Sequence, residues 1–169
     1  DGICRIALSG GSTPKPVYEA LAKSNVDFSK IEFYQVDERY VQQENDNSNY
    51  KLINQSLGAK MKVFHHFDTS LPIDECVEKY SKDISNIDFD LVILGMGTDG
   101  HTASLFPGDK EAIDSKKPAL HTTTEEFAVK DRLTISLKKI QESKNIILLI
   151  NDPKKEAILN ALVYSDQNK

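Results

Sequence analysis

The sequence predicts an α/β fold in one domain over residues 1–169, with a mostly parallel β-sheet that helices cover on both faces in a Rossmann-like, doubly wound arrangement. Apolar β-type runs alternate with segments of helical periodicity along the whole chain, which is the pattern of repeated strand–helix units. The run Phe89–Leu94 is apolar on both faces from Leu91 onward, as in a central parallel strand. A chain of 169 residues is long enough to bury a sizeable core in such a fold.

The predicted strands are short apolar runs flanked by glycine, proline or polar residues. The first run begins almost at the first residue, and its continuous apolar character predicts a place inside the sheet, away from the edges. The predicted strands are Ile3–Leu8, Ile31–Val36, Lys62–Phe67, Phe89–Leu94, Arg132–Leu137 and Asn145–Ile150.

Helices are predicted between and after these strands. The first has Thr13 as its N-cap and Pro14 as its first helical residue, an order that helix starts favour. The next two are Ser48–Leu57 and Ile73–Ile84, each with its apolar residues on one face. Asp152 is predicted to cap a last helix. The apolar stripe of the first helix is predicted to be Val17, Ala20 and Leu21.

Composition narrows the classes of function. The net charge of −5 and the sequence pI of about 5.4 argue against binding nucleic acid, which requires clustered Lys and Arg. The chain contains no apolar run near the roughly 20 residues that span a bilayer, so we expect no membrane partner and a cytoplasmic protein. Cys4 and Cys76 lie among apolar residues without metal-site spacing and are predicted to be reduced core thiols.

Glycines and polar or charged residues follow the carboxyl ends of the predicted strands. Open α/β sheets bind their ligands at this edge. In Ser9–Pro14, Gly10 and Gly11 allow backbone amides to approach an anion, and the hydroxyls of Ser12 and Thr13 lie at a helix N-terminus. This composition predicts a phosphate cradle. The alternative is an ordinary strand–helix turn with a good cap.

Charged residues extend this predicted site. Asp37, Glu38 and Arg39 end the second strand, which indicates either an open functional rim or a solvated ion-pair cluster, since burying them without partners is costly. Arg132 begins a later strand. Lys155 lies in the first turn of the last helix, where a cation opposes the helix dipole; it is therefore either a solvent-exposed side chain or one placed to meet an anion.

The most informative stretch is Gly95–Pro107, which follows the central strand and is rich in glycine. It brings His101 to the edge of the sheet, where an imidazole that titrates near neutrality is suited to take a proton from water. Asp99 would orient this histidine or bind a sugar hydroxyl; the alternative for His101 is a purely structural role. The pair His65–His66 lacks a nearby carboxylate or thiol at ligand spacing, so no metal site is predicted.

These motifs together resemble the 6-phosphogluconolactonase family. The resemblance rests on Ser9–Pro14, Asp37–Arg39, Ser48-Asn49, Gly95–Pro107 and Arg132-Leu133-Thr134. The stretch Thr102–Phe106 goes with the lactonases, because the related glucosamine-6-phosphate deaminases carry an isoleucine-glycine-phenylalanine sequence after their histidine. Family members also have a strand and helix before the first motif and a segment after the last helix, so the resemblance implies a longer fold than these residues contain.

The resemblance implies hydrolysis of 6-phospho-D-glucono-1,5-lactone to 6-phosphogluconate in the oxidative pentose phosphate pathway. It implies no metal or other cofactor, and the phosphorylated lactone is the only partner expected. It implies His101 as the base, with Asp99 and Asp37 as further catalytic residues. Arg39 or the amides of the glycine loops would stabilise the oxyanion. The alternatives are an amino-sugar phosphate deaminase or isomerase and a non-catalytic phosphosugar-binding domain. The implied substrate-binding residues are Gly10, Gly11, Ser12, Thr13, Glu38, Arg39, Asn49, Gly97, Arg132 and Lys155.

Overall fold

The computed structural model describes residues 2–164 and contains a central parallel β-sheet. Its strands lie in the order β4-β2-β1-β5-β8, and every neighbouring pair is parallel. The first strand pairs with β2 on one side and β5 on the other, which confirms its predicted interior place. The strands are β1 (Cys4–Leu8), β2 (Ile31–Gln35), β4 (Val63–His65), β5 (Leu91–Gly95) and β8 (Ile146–Leu149).

A second, antiparallel sheet was not predicted. It contains β3 (Asp37–Arg39), β7 (Asp131–Ile135) and β6 (Ala119–Thr123) in the order β3-β7-β6. Two predictions are therefore wrong in part: Asp37–Arg39 does not end the second strand, and the strand that begins near Arg132 does not belong to the parallel sheet.

The chain changes sheets at Val36. The Val36 amide donates to the Leu8 carbonyl in the parallel sheet, with an N···O distance of 3.0 Å, whereas the Val36 carbonyl accepts from the Ile135 amide at 2.9 Å. One residue therefore uses its backbone groups in two different sheets. The bend satisfies both groups and turns the following residues away from the parallel sheet.

Helices cover both faces of the parallel sheet, as predicted. Side chains of α1 and α2 pack with Leu8, Phe33 and Ile93 on one face. On the other face, α3 packs with Ala7 and Val92, in a cluster that continues into the antiparallel sheet. The helices are α1 (Lys15–Lys23), α2 (Asn49–Leu57), α3 (Ile73–Ile84), α4 (Lys110–Ile113), α5 (Leu137–Gln141) and α6 (Glu156–Tyr164).

The first helix differs from its prediction. Pro14 precedes it, and no side chain caps it; the Thr13 hydroxyl donates to Asn151. The buried residue of α1 is Tyr18, whose hydroxyl donates to the Ser9 carbonyl at 2.8 Å, whereas Val17 is 42% exposed. The helix is thus anchored through a polar contact to the end of β1, a bond that apolar periodicity does not reveal. Within residues 2–164, no helix is long and apolar enough to cross a bilayer.

Candidate active site

One cavity of about 170 Å³ gathers the carboxyl ends of β1 and β5, the start of β3 and β7, and the turn before α6. Nearly all the residues predicted for the site line this cavity; Glu38 and Asp99 do not. The predicted residues that line it are Gly10, Gly11, Ser12, Thr13, Asp37, Arg39, Asn49, Gly97, His101, Arg132 and Lys155.

A larger groove of about 690 Å³ lies between α3 and β6 and contains none of the predicted residues. Acidic side chains form much of its wall, including Asp74, Glu78, Asp109 and Glu111. Such a wall repels the anions that the predicted phosphate cradle would attract, so size alone does not identify the functional cavity.

The loop between β1 and α1 forms one wall of the 170 Å³ cavity. The Thr13 hydroxyl donates to the Asn151 side-chain oxygen at 2.8 Å, which ties this loop to the segment after β8. Only glycine fits at position 10, because a Cβ there would lie 1.9 Å from Oδ1 of Asn49. The glycine therefore lets α2 approach the loop closely enough for Asn49 to reach the cavity.

His101 and Asp99 form a hydrogen-bonded pair beside the cavity. The distance from Nδ1 of His101 to Oδ1 of Asp99 is 2.6 Å, and the two side chains are 20% and 21% exposed. Burial opposes ionisation of Asp99, but the hydrogen bonds from the ring and amide of His101 outweigh it and lower the pKa of this carboxyl. An ionised carboxylate accepts only, so Nδ1 donates to it, and in the neutral imidazole the lone pair then lies on Nε2.

Gly97 makes the position of this pair possible. A Cβ on Gly97 would lie 2.2 Å from Nδ1 of His101 and 2.4 Å from Oδ1 of Asp99. The Gly97 amide also donates to the His101 carbonyl at 2.8 Å, and Thr102 bonds back to the Gly95 carbonyl at 2.9 Å. The loop is therefore folded tightly on itself and fixes the histidine rather than leaving it on a free turn.

Arg39 and Arg132 face each other across the cavity wall. They are directly opposed in the antiparallel pairing of β3 with β7, a position in which like charges repel. Burial and the neighbouring Arg39 lower the pKa of Arg132. Two guanidinium groups held together in this way favour an anion between them, because it relieves the repulsion and accepts their hydrogen bonds.

Asp37 is the carboxylate that lines the cavity. Its Oδ2 accepts from the Ser104 hydroxyl at 3.2 Å. Burial raises the pKa of Asp37, whereas Arg39, the Ser104 bond and Arg132 act in the opposite direction. The side chain is thus a buried acceptor with one oxygen engaged, placed to bind a hydroxyl in the cavity.

Glu38, predicted to bind substrate, has a different role in the structure. It points away from the cavity and is only 1% exposed. Its carboxylate accepts from the amides of Arg39, Asn49 and Tyr50 at 2.7–2.8 Å; the Gln35 side chain and the Ser48 hydroxyl also donate to it. Burial raises the pKa of Glu38, and these hydrogen bonds oppose the shift. Glu38 therefore holds the N-terminus of α2.

Three buried polar atoms on cavity residues have no hydrogen-bond partner within the part of the chain that the structure describes. They are Oγ of Ser9, Nε of Arg39 and Oδ1 of Asn49. Leaving such atoms unpaired costs about 1–3 kcal/mol each. Because these three atoms surround one cavity, we expect a polar ligand to supply their missing hydrogen bonds.

The turn before α6 brings Lys155 to the cavity. Asp152 accepts from the Lys154 amide at 3.0 Å, as its predicted role of cap requires, although it caps a 3₁₀ turn over Pro153–Lys155 rather than α6 itself. Within residues 2–164, no group of three or more His, Cys, Asp or Glu side chains is arranged to hold a metal ion.

Comparison with known proteins shows the family of this chain. The sequence profile of the family described as glucosamine-6-phosphate isomerases/6-phosphogluconolactonase matches residues 1–169. The chain belongs to this family. It is 41% identical over 179 aligned residues to the probable 6-phosphogluconolactonase of Dictyostelium discoideum, covering 98% of this chain and 76% of that protein.

The family resemblance extends to relatives with solved structures. The 6-phosphogluconolactonase of Thermotoga maritima is 38% identical over 156 residues, covering 89% of this chain and 70% of that protein. A crystal structure of the 6-phosphogluconolactonase from this organism superposes with a TM-score of 0.90 at 35% identity, covering 98% of this chain and 78% of that one. The α/β fold predicted from the sequence is therefore confirmed.

In this family member, sequence patterns did not single out several residues that build the site. Ser9 and Ser104 lie within the sequence motifs but are not among the predicted site residues; Ser9 is buried beside the cavity, and Ser104 is buried beside Asp37. Ala103 lines the cavity with a φ of 53°, a left-handed conformation that costs a non-glycine residue about 1 kcal/mol or more. Phe127, in the loop between β6 and β7, contacts His101 and Arg132.

Proposed function

We propose that this chain hydrolyses 6-phospho-D-glucono-1,5-lactone to 6-phosphogluconate. The observation that carries the proposal is that a histidine–carboxylate pair and two opposed arginines line or border one cavity. A phosphorylated lactone needs both: an anion site to hold it and a base to activate water next to its carbonyl.

The phosphate binds between the two arginines and the loop after β1. Arg39 and Arg132 supply charge-assisted donors, the Gly10–Thr13 segment supplies amides and hydroxyls at the start of α1, and Lys155 adds a third cation. Binding an anion here offsets the repulsion between the arginines. The remote phosphate thereby holds the lactone ring against His101.

His101 activates the attacking water. With Nδ1 protonated and bonded to the ionised Asp99, Nε2 accepts a proton as the water oxygen bonds to the lactone carbonyl carbon. Amides of the glycine loops stabilise the resulting oxyanion. When the bond to the ring oxygen breaks, the same imidazolium returns its proton to that oxygen, giving the free hydroxyl and the carboxylic acid.

Asp37 and Asn49 bind sugar hydroxyls in this proposal. Asp37 has a carboxylate oxygen besides the one that accepts from Ser104. The side-chain oxygen of Asn49 is buried without a partner, while its amide nitrogen donates to the Asp37 carbonyl at 2.9 Å. A hydroxyl donor from the substrate satisfies the Asn49 oxygen, so this contact also favours a polyhydroxylated ligand.

The test is a lactonase assay on freshly generated 6-phosphogluconolactone, corrected for spontaneous hydrolysis, with unphosphorylated gluconolactone in parallel. We expect rapid turnover of the phosphorylated lactone and a far higher KM for the other. Ammonia release from glucosamine 6-phosphate, measured beside it, would instead indicate a deaminase. Binding of 6-phosphogluconate without turnover of either compound would indicate a phosphosugar-binding domain.

A further inference from the structure

We infer that Phe127 is a positioning residue that connects the base to the anion site. Its ring lies against both His101 and Arg132, which the proposed function assigns to opposite ends of the substrate. The inference rests on the proposed function, which assigns these two residues to opposite ends of the substrate; the contacts of Phe127 with both residues are observed in the structure.

The loop that carries Phe127 is an ordered turn. It connects β6 to β7, and the Thr124 amide closes it by donating to the Lys130 carbonyl at 3.1 Å. Inside the turn, the Glu126 amide donates to the Thr124 hydroxyl at 3.2 Å, and Lys130 pairs with Glu125. The turn therefore holds the half-buried Phe127 ring in a defined place.

The first contact of Phe127 is with the imidazole of His101. The ring centroids are 5.4 Å apart at an interplanar angle of 77°, an edge-to-face arrangement that aromatic rings prefer. Phe106 packs on the same imidazole at 5.0 Å and 46°. With Asp99 bonded to Nδ1, these two rings restrict the remaining rotation of the imidazole and so fix the direction of Nε2.

The second contact is with the guanidinium of Arg132. Its Cζ lies 5.4 Å from the Phe127 ring centroid, within the range of a cation–π interaction. Nε of Arg132 donates to the Val129 carbonyl of the same turn at 2.9 Å. Because Arg39 opposes Arg132 across the strands, these contacts hold the guanidinium in place before an anion arrives.

Phe106 provides a matched comparison because, of these two contacts, it makes only the one with the imidazole. Phe106 also packs against the Phe127 ring, with the centroids 6.2 Å apart, so removing the ring of Phe106 disturbs the base directly and reaches Arg132 only through Phe127. Removing the ring of Phe127 disturbs the base and Arg132 together. The two variants therefore differ in their effect on KM for a phosphorylated substrate, whereas a residue that merely fills space would give the same effect at both positions.

The experiment compares Phe127→Leu with Phe106→Leu on the phosphorylated and unphosphorylated lactones, with thermal unfolding as the measure of folding. Phe127→Leu should raise KM for the phosphorylated lactone about five-fold, the loss expected for one cation–π contact, and lower kcat about ten-fold through a misplaced imidazole. Phe106→Leu should lower kcat and raise KM less than Phe127→Leu does. Phe127→Tyr, which keeps the ring, should restore both constants.

The inference is overturned if Phe127→Leu folds and retains wild-type constants, or if both leucine variants change KM and kcat in the same proportion. If Phe127→Leu does not fold, Phe127→Met takes its place with the same expectations. Inorganic phosphate binding, followed through the imidazole NMR signals of His101, supplies a readout without turnover. Phosphate should shift these signals in the wild type and less in the Phe127 variant. Should the wild type hydrolyse neither lactone, the proposed function fails, and the phosphate titration still decides the role of Phe127.

Discussion

Replacing Gly97 with alanine tests the arrangement of the base most directly. The new methyl carbon would lie 2.2 Å from Nδ1 of His101, 2.3 Å from its Cε1 and 2.4 Å from Oδ1 of Asp99. Ordinary carbon contacts are no closer than about 3.4 Å, so the imidazole and carboxylate must retreat by about 1 Å. A displacement of about 1 Å at a reacting group costs about 10²-fold in rate, and the crowding should cost about 1–3 kcal/mol of unfolding free energy.

The assay is kcat for 6-phosphogluconolactone, with the unfolding temperature measured on the same samples. Gly58→Ala is the control, because the φ of 60° at Gly58 strains an alanine, while the new Cβ meets no atom within 4 Å and Gly58 does not line the cavity. We expect Gly97→Ala to be folded and about 10²-fold slower, while Gly58→Ala loses stability but keeps the kcat of the wild type. If Gly97→Ala folds and turns over as fast as Gly58→Ala, then the position of the His101–Asp99 pair is not what the reaction depends on.

Four further substitutions follow from the same geometry. His101→Asn should fold and lose about 10²-fold or more in kcat; near-normal turnover would make this histidine structural. Arg132→Ala should raise KM for the phosphorylated lactone and leave the unphosphorylated one unaffected, and equal losses on both would refute the anion site. Burial raises the pKa of Asp37 in the folded protein. The contribution of Asp37 to the free energy of unfolding is therefore complete below the unfolded pKa of about 3.9, and it is lost as the pH rises through the raised pKa of the folded state. Asp37→Asn should therefore gain stability relative to the wild type from acid to neutral pH, and a gap between their unfolding temperatures that does not widen would contradict this sign. Glu38→Ala leaves three buried or partly buried amides without acceptors and should cost about 3 kcal/mol or more, whereas a loss below about 1 kcal/mol in chemical denaturation would show that water replaces the carboxylate.

Much of the site could be predicted because its chemistry lies at the ends of strands that local patterns reveal. The apolar run that became β5 is followed directly by glycines and His101, and a parallel sheet brings the residues after β1 and β5 to one edge. Gly97 and Asp99 also needed no long-range information, since both lie within a few residues of His101. These predictions depended on contacts that are close in the chain.

Apart from the starts of the first and last helices, the remaining errors concern contacts between distant parts of the chain. Val36 divides its two backbone groups between two sheets, and nothing in its own neighbourhood shows that Ile135 will be the second partner. Similar carboxylates at adjacent positions received opposite roles: Asp37 faces the cavity, and Glu38 holds the N-terminus of α2. The separate strand β3 sets this division, and its partner β7 lies far along the chain.

The sequence by itself determined the α/β alternation, the interior place of the first strand, and the presence of a histidine and a glycine-rich loop at one edge of the sheet. These follow from hydrophobic periodicity and from the few conformations that glycine, proline and strand ends permit. Only the tertiary structure decided that Arg39 opposes Arg132, that Glu38 is withdrawn from the cavity, and that Phe127 reaches His101. Each of these depends on strand register across the antiparallel sheet, where a shift of one residue would move every side chain to the opposite face.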